Sequence, residues 1–347
     1  MRCTVCTLLL VSAALPATLR AAGDWPMLCG SPAREGPPLR APRDLSRPLW
    51  TAAAPAGQAF VPPASPVTHD GRVFVTARRV VQFVHEANLL IAFDAHDGDR
   101  LWTAVLAPDD CDSWSTPAVD VRNGTVLVGT GTSLYAVRMS DGSVAWETPL
   151  NDTVVNASPL VTDDLHVDGV PTNRAIVADF ACFGGGSAVY IINVDPFHAG
   201  HNPWQPGEIV HELPIVSASG MTPAVYDGAL FVATSQARVL AIGVLSGEPL
   251  WETNLSALGL GGFFGGVTVQ DGHVYAASYN FAPGAGGRLV KLAQGDGALV
   301  WSIACERTDS IPLLLDDGRI VVSGGLDTPG FGSIARLQAF QDLGGSA

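Results

Sequence analysis

Between Leu90 and Leu106 the chain reads LIAFDAHDGDRLWTAVL: an apolar stretch, a polar turn around Gly98, then a second apolar stretch opened by Trp102. The same order returns in LYAVRMSDGSVAWETPL, from Leu134 to Leu150. Short apolar or alternating runs on either side of a glycine turn predict β-hairpins. Helical periodicity is nearly absent, so the expected fold class is all-β.

Two kinds of turn recur. The first is THDGRVFV at Asp70-Gly71, RNGTVLV at Asn123-Gly124, VDGVPTNRAIV at Asp168-Gly169, YDGALFV at Asp227-Gly228, QDGHVYA at Asp271-Gly272 and DDGRIVV at Asp317-Gly318. Asp-Gly and Asn-Gly tolerate the positive φ values of tight hairpins. The second kind is Asp97-Gly98, Asp141-Gly142, Ser246-Gly247 and Asp296-Gly297, each with a tryptophan four residues after the glycine: Trp102, Trp146, Trp251 and Trp301. A tight turn fixes register, so each tryptophan is expected at one place on the outer strand of its unit, filling the wedge between neighbouring sheets.

Two hairpins, or four strands, over about 40 to 50 residues is the period of a propeller blade. The units begin near Ser65, Ser115, Ala157, Ser219, Gly262 and Ser310, which predicts a β-propeller of about six four-stranded blades. The third unit departs from the pattern. EIVHELPI aligns with VAWETPL, so His211 stands where Trp146 does, and DPFHAGHNPWQPG lengthens the preceding turn. The sixth unit stops at LQAFQDLGGSA, whereas RPLWTAAA places Trp50 on a strand with no blade in front of it. The expectation is that the Trp50 strand completes the sheet of Ile311 to Phe340 and closes the ring. The alternative is a fragment of a seven- or eight-bladed ring.

Composition adds bounds. The chain has 347 residues, 47% hydrophobic and 15% charged, enough to bury a large core. A formal net charge of −14 with no cluster of Lys or Arg excludes nucleic acid as a partner held by charge. Arg2, the apolar stretch Val5 to Leu15 and small residues up to Ala22 have the form of an export signal. The expected organisation is a signal peptide at 1–21, a leader strap at 22–46 and a propeller domain at 47–347. The product is a periplasmic or secreted monomer with no transmembrane segment after signal removal. In an oxidising compartment Cys29, Cys111, Cys182 and Cys305 are expected to form disulfides, with the pairing open.

AFDAHDGDRLW, at Ala92 to Trp102, resembles the PQQ-type propeller repeat, A-x-D-x-x-T-G-x-x-x-W, and DWPMLCGSPAREG at Asp24 to Gly36 resembles the leader common before such propellers in exported bacterial proteins. The family includes quinoprotein dehydrogenases and the periplasmic lipoprotein of the outer-membrane barrel-assembly machinery. The resemblance implies the propeller fold and leaves function open. The quinoprotein enzymes hold their quinone over two adjacent cysteines beside calcium, and no two cysteines are adjacent here. The chain therefore stands nearer the non-enzymatic, barrel-assembly branch. It is read as a scaffold without cofactor, PQQ with calcium being the alternative that would make it an oxidoreductase.

The loops that leave each outer strand, and those that join the two hairpins of a blade, share one rim, where propellers meet ligands. That rim carries Arg78, Arg79 and His85 in ARRVVQFVHEA, Asp112 and Trp114 in APDDCDSWS, and Phe183 in FACFGGG. Phe263 and Phe264 in GGFFGG, with Tyr279 and Asn280 in SYNFAPGAGG, complete it. Aromatics flanked by glycine on loops suit a protein or polymer partner. Plugging of the central channel is the bland reading. Asp109, Asp110 and Asp112 could ligate calcium but lack the glycine and terminal glutamate of a dedicated loop. His198, His201 and His211 near Glu208 could hold a transition metal, although turn and wedge roles explain them as well. GTGTS after Val128 leads into another strand and so lacks the helix that a phosphate site needs.

Overall fold

A computed structural model describes residues 24–36, 47–61, 64–81, 84–108, 113–180, 187–215, 221–325 and 335–344. These residues form an all-β propeller whose helical content among them is two single 3₁₀ turns, Leu28–Gly30 and Ser256–Leu258. The first sheet holds Val67–His69, Arg72–Val81, Val84–Asp94 and Arg100–Leu106, with Gln58–Phe60 added beside Ala77 to Arg79. The second comprises Ala118–Asp120, Thr125–Thr130, Ser133–Arg138 and Val144–Pro149; the third, Leu160–Val161, Arg174–Ala178, Ser187–Asn193 and Ile209–Ile215. The fourth contains Ala224–Tyr226, Ala229–Ala233, Arg238–Gly243 and Pro249–Asn254, and the fifth Val267–Gln270, His273–Ala277, Gly287–Ala293 and Leu299–Cys305. The sixth has three strands, Leu313–Leu314, Arg319–Gly324 and Arg336–Gln341. All neighbours within a sheet are antiparallel, and the two middle strands of the second and third sheets are almost wholly buried.

The turn chemistry explains the regularity. Asp70, Asp168, Asp227 and Asp271 all have φ near +50°, each followed by a glycine with positive φ, so these four are the tight hairpins that Asp-Gly favours. At Asn123-Gly124 and Asp317-Gly318 only the glycine is left-handed. There the turn is longer, and Asn123 folds back onto the Asp120 carboxylate through both its backbone N–H and its side-chain amide. In the second kind of turn, Asp97, Asp141, Ser246 and Asp296 each accept the backbone N–H two residues on, at 2.9, 2.9, 3.2 and 2.9 Å. Asp or Ser serves this bond as well as the Thr of the family pattern does.

A one-residue register shift recurs beside that turn in five sheets, between Ala92 and Phe93, Ala136 and Val137, Ile191 and Ile192, Ala241 and Ile242, and Lys291 and Leu292. The bulge sets the wedge residue opposite a fixed partner: Trp102 faces Ala92, Trp146 faces Ala136 and Trp251 faces Ala241. Where His211 replaces tryptophan, its partner is the larger Ile191. The fifth sheet pairs Trp301 with Lys291, so the partner is alanine in three of the five sheets.

The wedges run in one direction. Trp102 of the first sheet donates Nε1–H to Met139 O of the second at 2.9 Å, and Trp251 of the fourth donates to Gln294 O of the fifth at 2.8 Å. His211 Nε2 meets Leu245 O at 3.1 Å. A methyl group added at Gly142 would lie 2.7 Å from the Trp102 ring, and one at Gly247 would lie 2.6 Å from His211. The glycine of the turn is thus the floor on which the preceding sheet's ring rests. Thr148 and Thr253, two residues past their tryptophans, add hydroxyl bonds to Gly207 O and Gly297 O at 2.7 and 2.6 Å. Trp301 packs with Ile320 and Phe340 of the sixth sheet.

Trp50 follows the same rule in a different setting. It rests on Gly98 of the first sheet and donates Nε1–H to Ala95 O at 2.9 Å. The expected strand around it is absent: residues 47–57 form no strand, and among the described residues the Arg336–Gln341 strand has no neighbour on its outer side. The ring contact with the turn holds the tryptophan without help from backbone pairing.

Around the axis runs a belt of hydroxyls. Ser65 N–H donates to Thr116 Oγ1, Thr116 N–H to Ser158 Oγ and Ser158 N–H to Thr222 Oγ1, at 2.9, 3.0 and 3.1 Å. Thr222 N–H then reaches Gly265 O at 2.8 Å, and Thr268 Oγ1 donates to Pro312 O at 2.8 Å. Each hydroxyl residue from Ser65 to Thr222 precedes a proline, which holds it extended at the entry to its innermost strand.

Candidate functional site

The strands of each sheet end in turns at one side and in longer loops at the other. At the turn end, Asp24 to Gly36 lies over the innermost strands. An innermost strand leaves N–H groups facing the axis, and buried N–H groups need acceptors. Trp25 pairs with Thr68 of the first sheet. The carbonyl of Pro26 accepts from Val119 of the second, that of Pro32 from Val225 of the fourth and that of Ala33 from Val269 of the fifth, at 2.7, 2.8 and 2.9 Å. Met27 is buried in the core shared by the second, third and fourth sheets.

Arg34 anchors this segment. Its guanidinium is buried and donates to Leu28 O at 2.8 Å, Pro223 O at 3.1 Å, Ser158 O at 3.2 Å and Pro159 O at 3.4 Å. The last three carbonyls belong to the hydroxyl-proline belt, so one side chain ties the leader to the third and fourth sheets. Burial holds the guanidinium below its ordinary value, at about 10, well above neutrality. Asp24 pairs with His69 Nδ1 at 2.9 Å beside it.

The loop end carries most of the rim residues expected from the sequence. Arg78 donates to Ser113 O at 2.6 Å, Arg79 lies 3.4 Å from Glu86, and His85 Nε2 meets Ala87 O at 3.2 Å. Trp114 is partly exposed and its N–H donates to Val155 O at 2.6 Å. Asp109, Asp110, Asp112 and Phe183 lie outside the described residues.

Phe264 and Tyr279 come together as an aromatic cluster. Their ring centroids are 6.2 Å apart, edge to face, and Phe281 joins them at 5.1 Å from Phe264 and 4.8 Å from Tyr279. Phe281 is 57% exposed. Arg307 lies 5.6 Å from the Tyr279 ring centroid and donates to Asn280 O at 3.1 Å, which fixes the loop beneath the rings. Asn280 Oδ1 accepts Ala282 N–H at 2.9 Å, a local turn bond. Phe281 and Arg307 escaped the sequence reading. Phe281 stands two residues after Tyr279, the spacing that returns a side chain to the same side of an extended segment.

Two expectations, on Phe263 and on the cysteines, need correction. Phe263 is fully buried in the core of the fourth and fifth sheets and takes no part in the rim. The histidines do not converge: His198 and His201 rings lie 4.9 Å apart and His201 Nδ1 is 3.3 Å from Asp168, whereas His211 serves the wedge on Gly247. No group of three or more candidate metal ligands forms among the described residues. Cys29 and Cys305 are free thiols; burial pushes both above the ordinary thiol value, Cys305 to about 12, so neither is a ready nucleophile.

The residues present do not fit PQQ with calcium as the quinoprotein site would hold them. The cysteines stand at 29, 111, 182 and 305 beyond the first ten residues, none beside another, and among the described residues no group of three or more His, Cys, Asp or Glu converges.

Known proteins place this architecture. A chain related to it in Escherichia coli strain K12, outer membrane protein assembly factor BamB, is 27% identical over 318 positions that cover 74% of this chain and 76% of that one. The protein of the same name from Yersinia pestis is 23% identical, covering 71% of this chain and 61% of its own length. The chain thus spans between about half and two thirds of several curated relatives that it matches. Among solved structures, a europium-containing methanol dehydrogenase superposes with a TM-score of 0.56 at 14% identity, covering 76% of this chain and 65% of that one. A quinohemoprotein alcohol dehydrogenase from Pseudomonas putida HK5 gives 0.54 at 13%, covering 75% and 55%. At such identity these two establish the fold alone. The family model described as outer membrane protein assembly factor BamB matches residues 45–211 and 187–326, so this chain belongs to that PQQ-repeat propeller family.

Proposed function

We propose that this chain is an exported, non-catalytic propeller scaffold that holds a protein partner at its loop end, in the assembly of outer-membrane proteins for which its relatives are named. The observation that carries the reading is the Phe264, Tyr279 and Phe281 cluster. Large rings set on glycine-rich loops, underpinned by a buried arginine, have the composition of an interface anchor. Burying such rings solely for stability would place them with Phe263, one residue away and wholly inside.

The chain works in the periplasm as a monomer and takes neither nucleic acid nor a redox cofactor on this reading. The test is capture of partners by a tagged, exported chain, compared with the Phe264→Ser/Phe281→Ser double variant. The expected result is loss of the co-purifying protein from the variant at unchanged melting temperature. Retention of the same partners by the variant overturns the reading. Tight uptake of added PQQ with calcium and dye-linked alcohol oxidation would replace it with the oxidoreductase alternative.

A further inference from the structure

At the turn end, the third sheet departs from the others. The usual short turn before the outer strand is replaced by the insertion of residues 194–208, which folds over the ring of Trp146. The consequence is a groove of about 620 Å³, open to solvent, that crosses the turns of the second sheet from the first sheet to the third. Its size falls within the range of ligand-binding clefts. Val194 and Pro206 from the insertion, together with Trp146, form an apolar part of its lining. Arg72 and Arg138 bring two cations to it.

Charge makes this arrangement unusual for the molecule, which carries 33 acidic against 19 basic residues. Arg72 is partly engaged by the exposed Asp70 at 3.1 Å. Arg138 donates to Ser143 Oγ at 3.1 Å and to Val144 O at 3.2 Å, which orients the guanidinium; it forms no ion pair within 4 Å among the described residues, and its nearby carboxylate, Asp141, is itself bonded to Ser143 and exposed. A third feature is independent of charge. Thr125 lines the groove, is 6% exposed, and its hydroxyl has no hydrogen-bond partner among the described residues. Buried hydroxyls are ordinarily satisfied.

We propose that this groove binds an acidic, apolar-containing peptide segment of a partner protein, its carboxylates on Arg72 and Arg138 and its apolar side chains against Trp146 and the inserted wall. An arginine fork suits a carboxylate, and the open trough suits a passing chain better than a compact ligand. The site lies at the opposite end of the strands from the Phe264 cluster, so the failure of either reading leaves the other intact.

Fluorescence anisotropy of the mature chain with a labelled decapeptide of glutamate alternating with leucine and phenylalanine tests the proposal, beside the glutamine and lysine versions of that peptide. The glutamate peptide is expected to bind at least tenfold more tightly than either. Arg138→Glu should weaken it at least tenfold, and Arg138→Gln, which retains donors for Ser143 and Val144, severalfold with the circular dichroism spectrum unchanged. Thr125→Val should weaken binding without lowering the melting temperature. Arg319→Glu, on the same side of the sixth sheet, should leave binding unchanged. Equal binding of the glutamate and glutamine peptides overturns the proposal. So does indifference to both Arg138 variants, or an equal loss with Arg319→Glu, which would mark a diffuse charge effect.

Discussion

The two ends of the same strands obey different constraints. At the turn end, the outer-strand rings of the first four sheets, Trp102, Trp146, His211 and Trp251, each rest on a glycine of the next sheet, so a turn can change little without lifting the ring from its floor. At the loop end no ring rests on a turn glycine in this repeating way among the described residues; beyond the hydroxyl belt at the strand entries, the segments vary in length and composition from one sheet to the next. The comparison teaches where a repeat is free to acquire chemistry: at the loop end generally, and at the turn end only where the pattern is broken. The third sheet breaks it, with His211 for tryptophan and an insertion for a turn, and that insertion walls one side of the Arg72–Arg138 groove over the second sheet.

The largest test of the turn end is removal of its anchor. Arg34→Met leaves four carbonyls short of a donor, and hydrogen bonds to a charged group contribute about 1.5–3 kcal/mol each, non-additively. Urea denaturation is expected to show a loss of about 3–5 kcal/mol, with early proteolysis within residues 24–36. Unchanged stability would mean that the leader is only laid on the sheets.

The wedge itself is isolated by two glycines of similar φ, +75° at Gly142 and +66° at Gly124. Alanine at either is strained by the left-handed backbone, at about 1 kcal/mol. Only at Gly142 does the new methyl meet a ring, 2.7 Å from Trp102, whereas Gly124 has open space. Gly142→Ala should therefore cost about 2–4 kcal/mol and Gly124→Ala about 1; equal costs in thermal melts would remove the wedge from the account.

The exceptional third sheet sharpens the comparison further. His211→Trp alone places an indole against Ile191 and should cost about 1–2 kcal/mol, while Ile191→Ala/His211→Trp restores the pairing of the second sheet and should recover most of it. A double-mutant cycle by denaturation measures the coupling.

The smallest effect is in pH. Burial raises Asp120 from the ordinary 3.8 to about 6, against the bonds from Asn123 that favour its anion. Between those values the folded chain keeps a proton that the unfolded chain releases, so this group's contribution makes stability fall as pH rises from about 4 to about 6 and level off above. The slope is at most about 1.4 kcal/mol per pH unit. Asp120→Asn should remove that component from a pH series of melting curves.

Much of the fold was legible because the repeat fixes register: a glycine turn followed four residues later by tryptophan admits one placement of the ring. The hydroxyl belt was not read from the sequence: Ser65-Pro66, Thr116-Pro117, Ser158-Pro159 and Thr222-Pro223 stand there, but their spacing does not say that one unit's hydroxyl accepts from its neighbour's N–H. The role of Arg34 is invisible in sequence, since its four acceptors are main-chain carbonyls scattered over residues 28 to 223. Phe263 and Phe264 show the limit at the loop end. Adjacent side chains in extended backbone point to opposite sides, and nothing in GGFFGG says which side is solvent.

The most direct measurement compares two side chains of almost equal exposure, Phe281 in the loop-end cluster and Leu250 on an outer strand, 57% and 58% exposed. With a photo-crosslinking phenylalanine analogue at either position in the exported chain, position 281 should yield a discrete crosslinked partner and position 250 none. Crosslinks of equal yield and pattern at both, or at position 250 alone, would contradict the assignment of partner binding to the loop end.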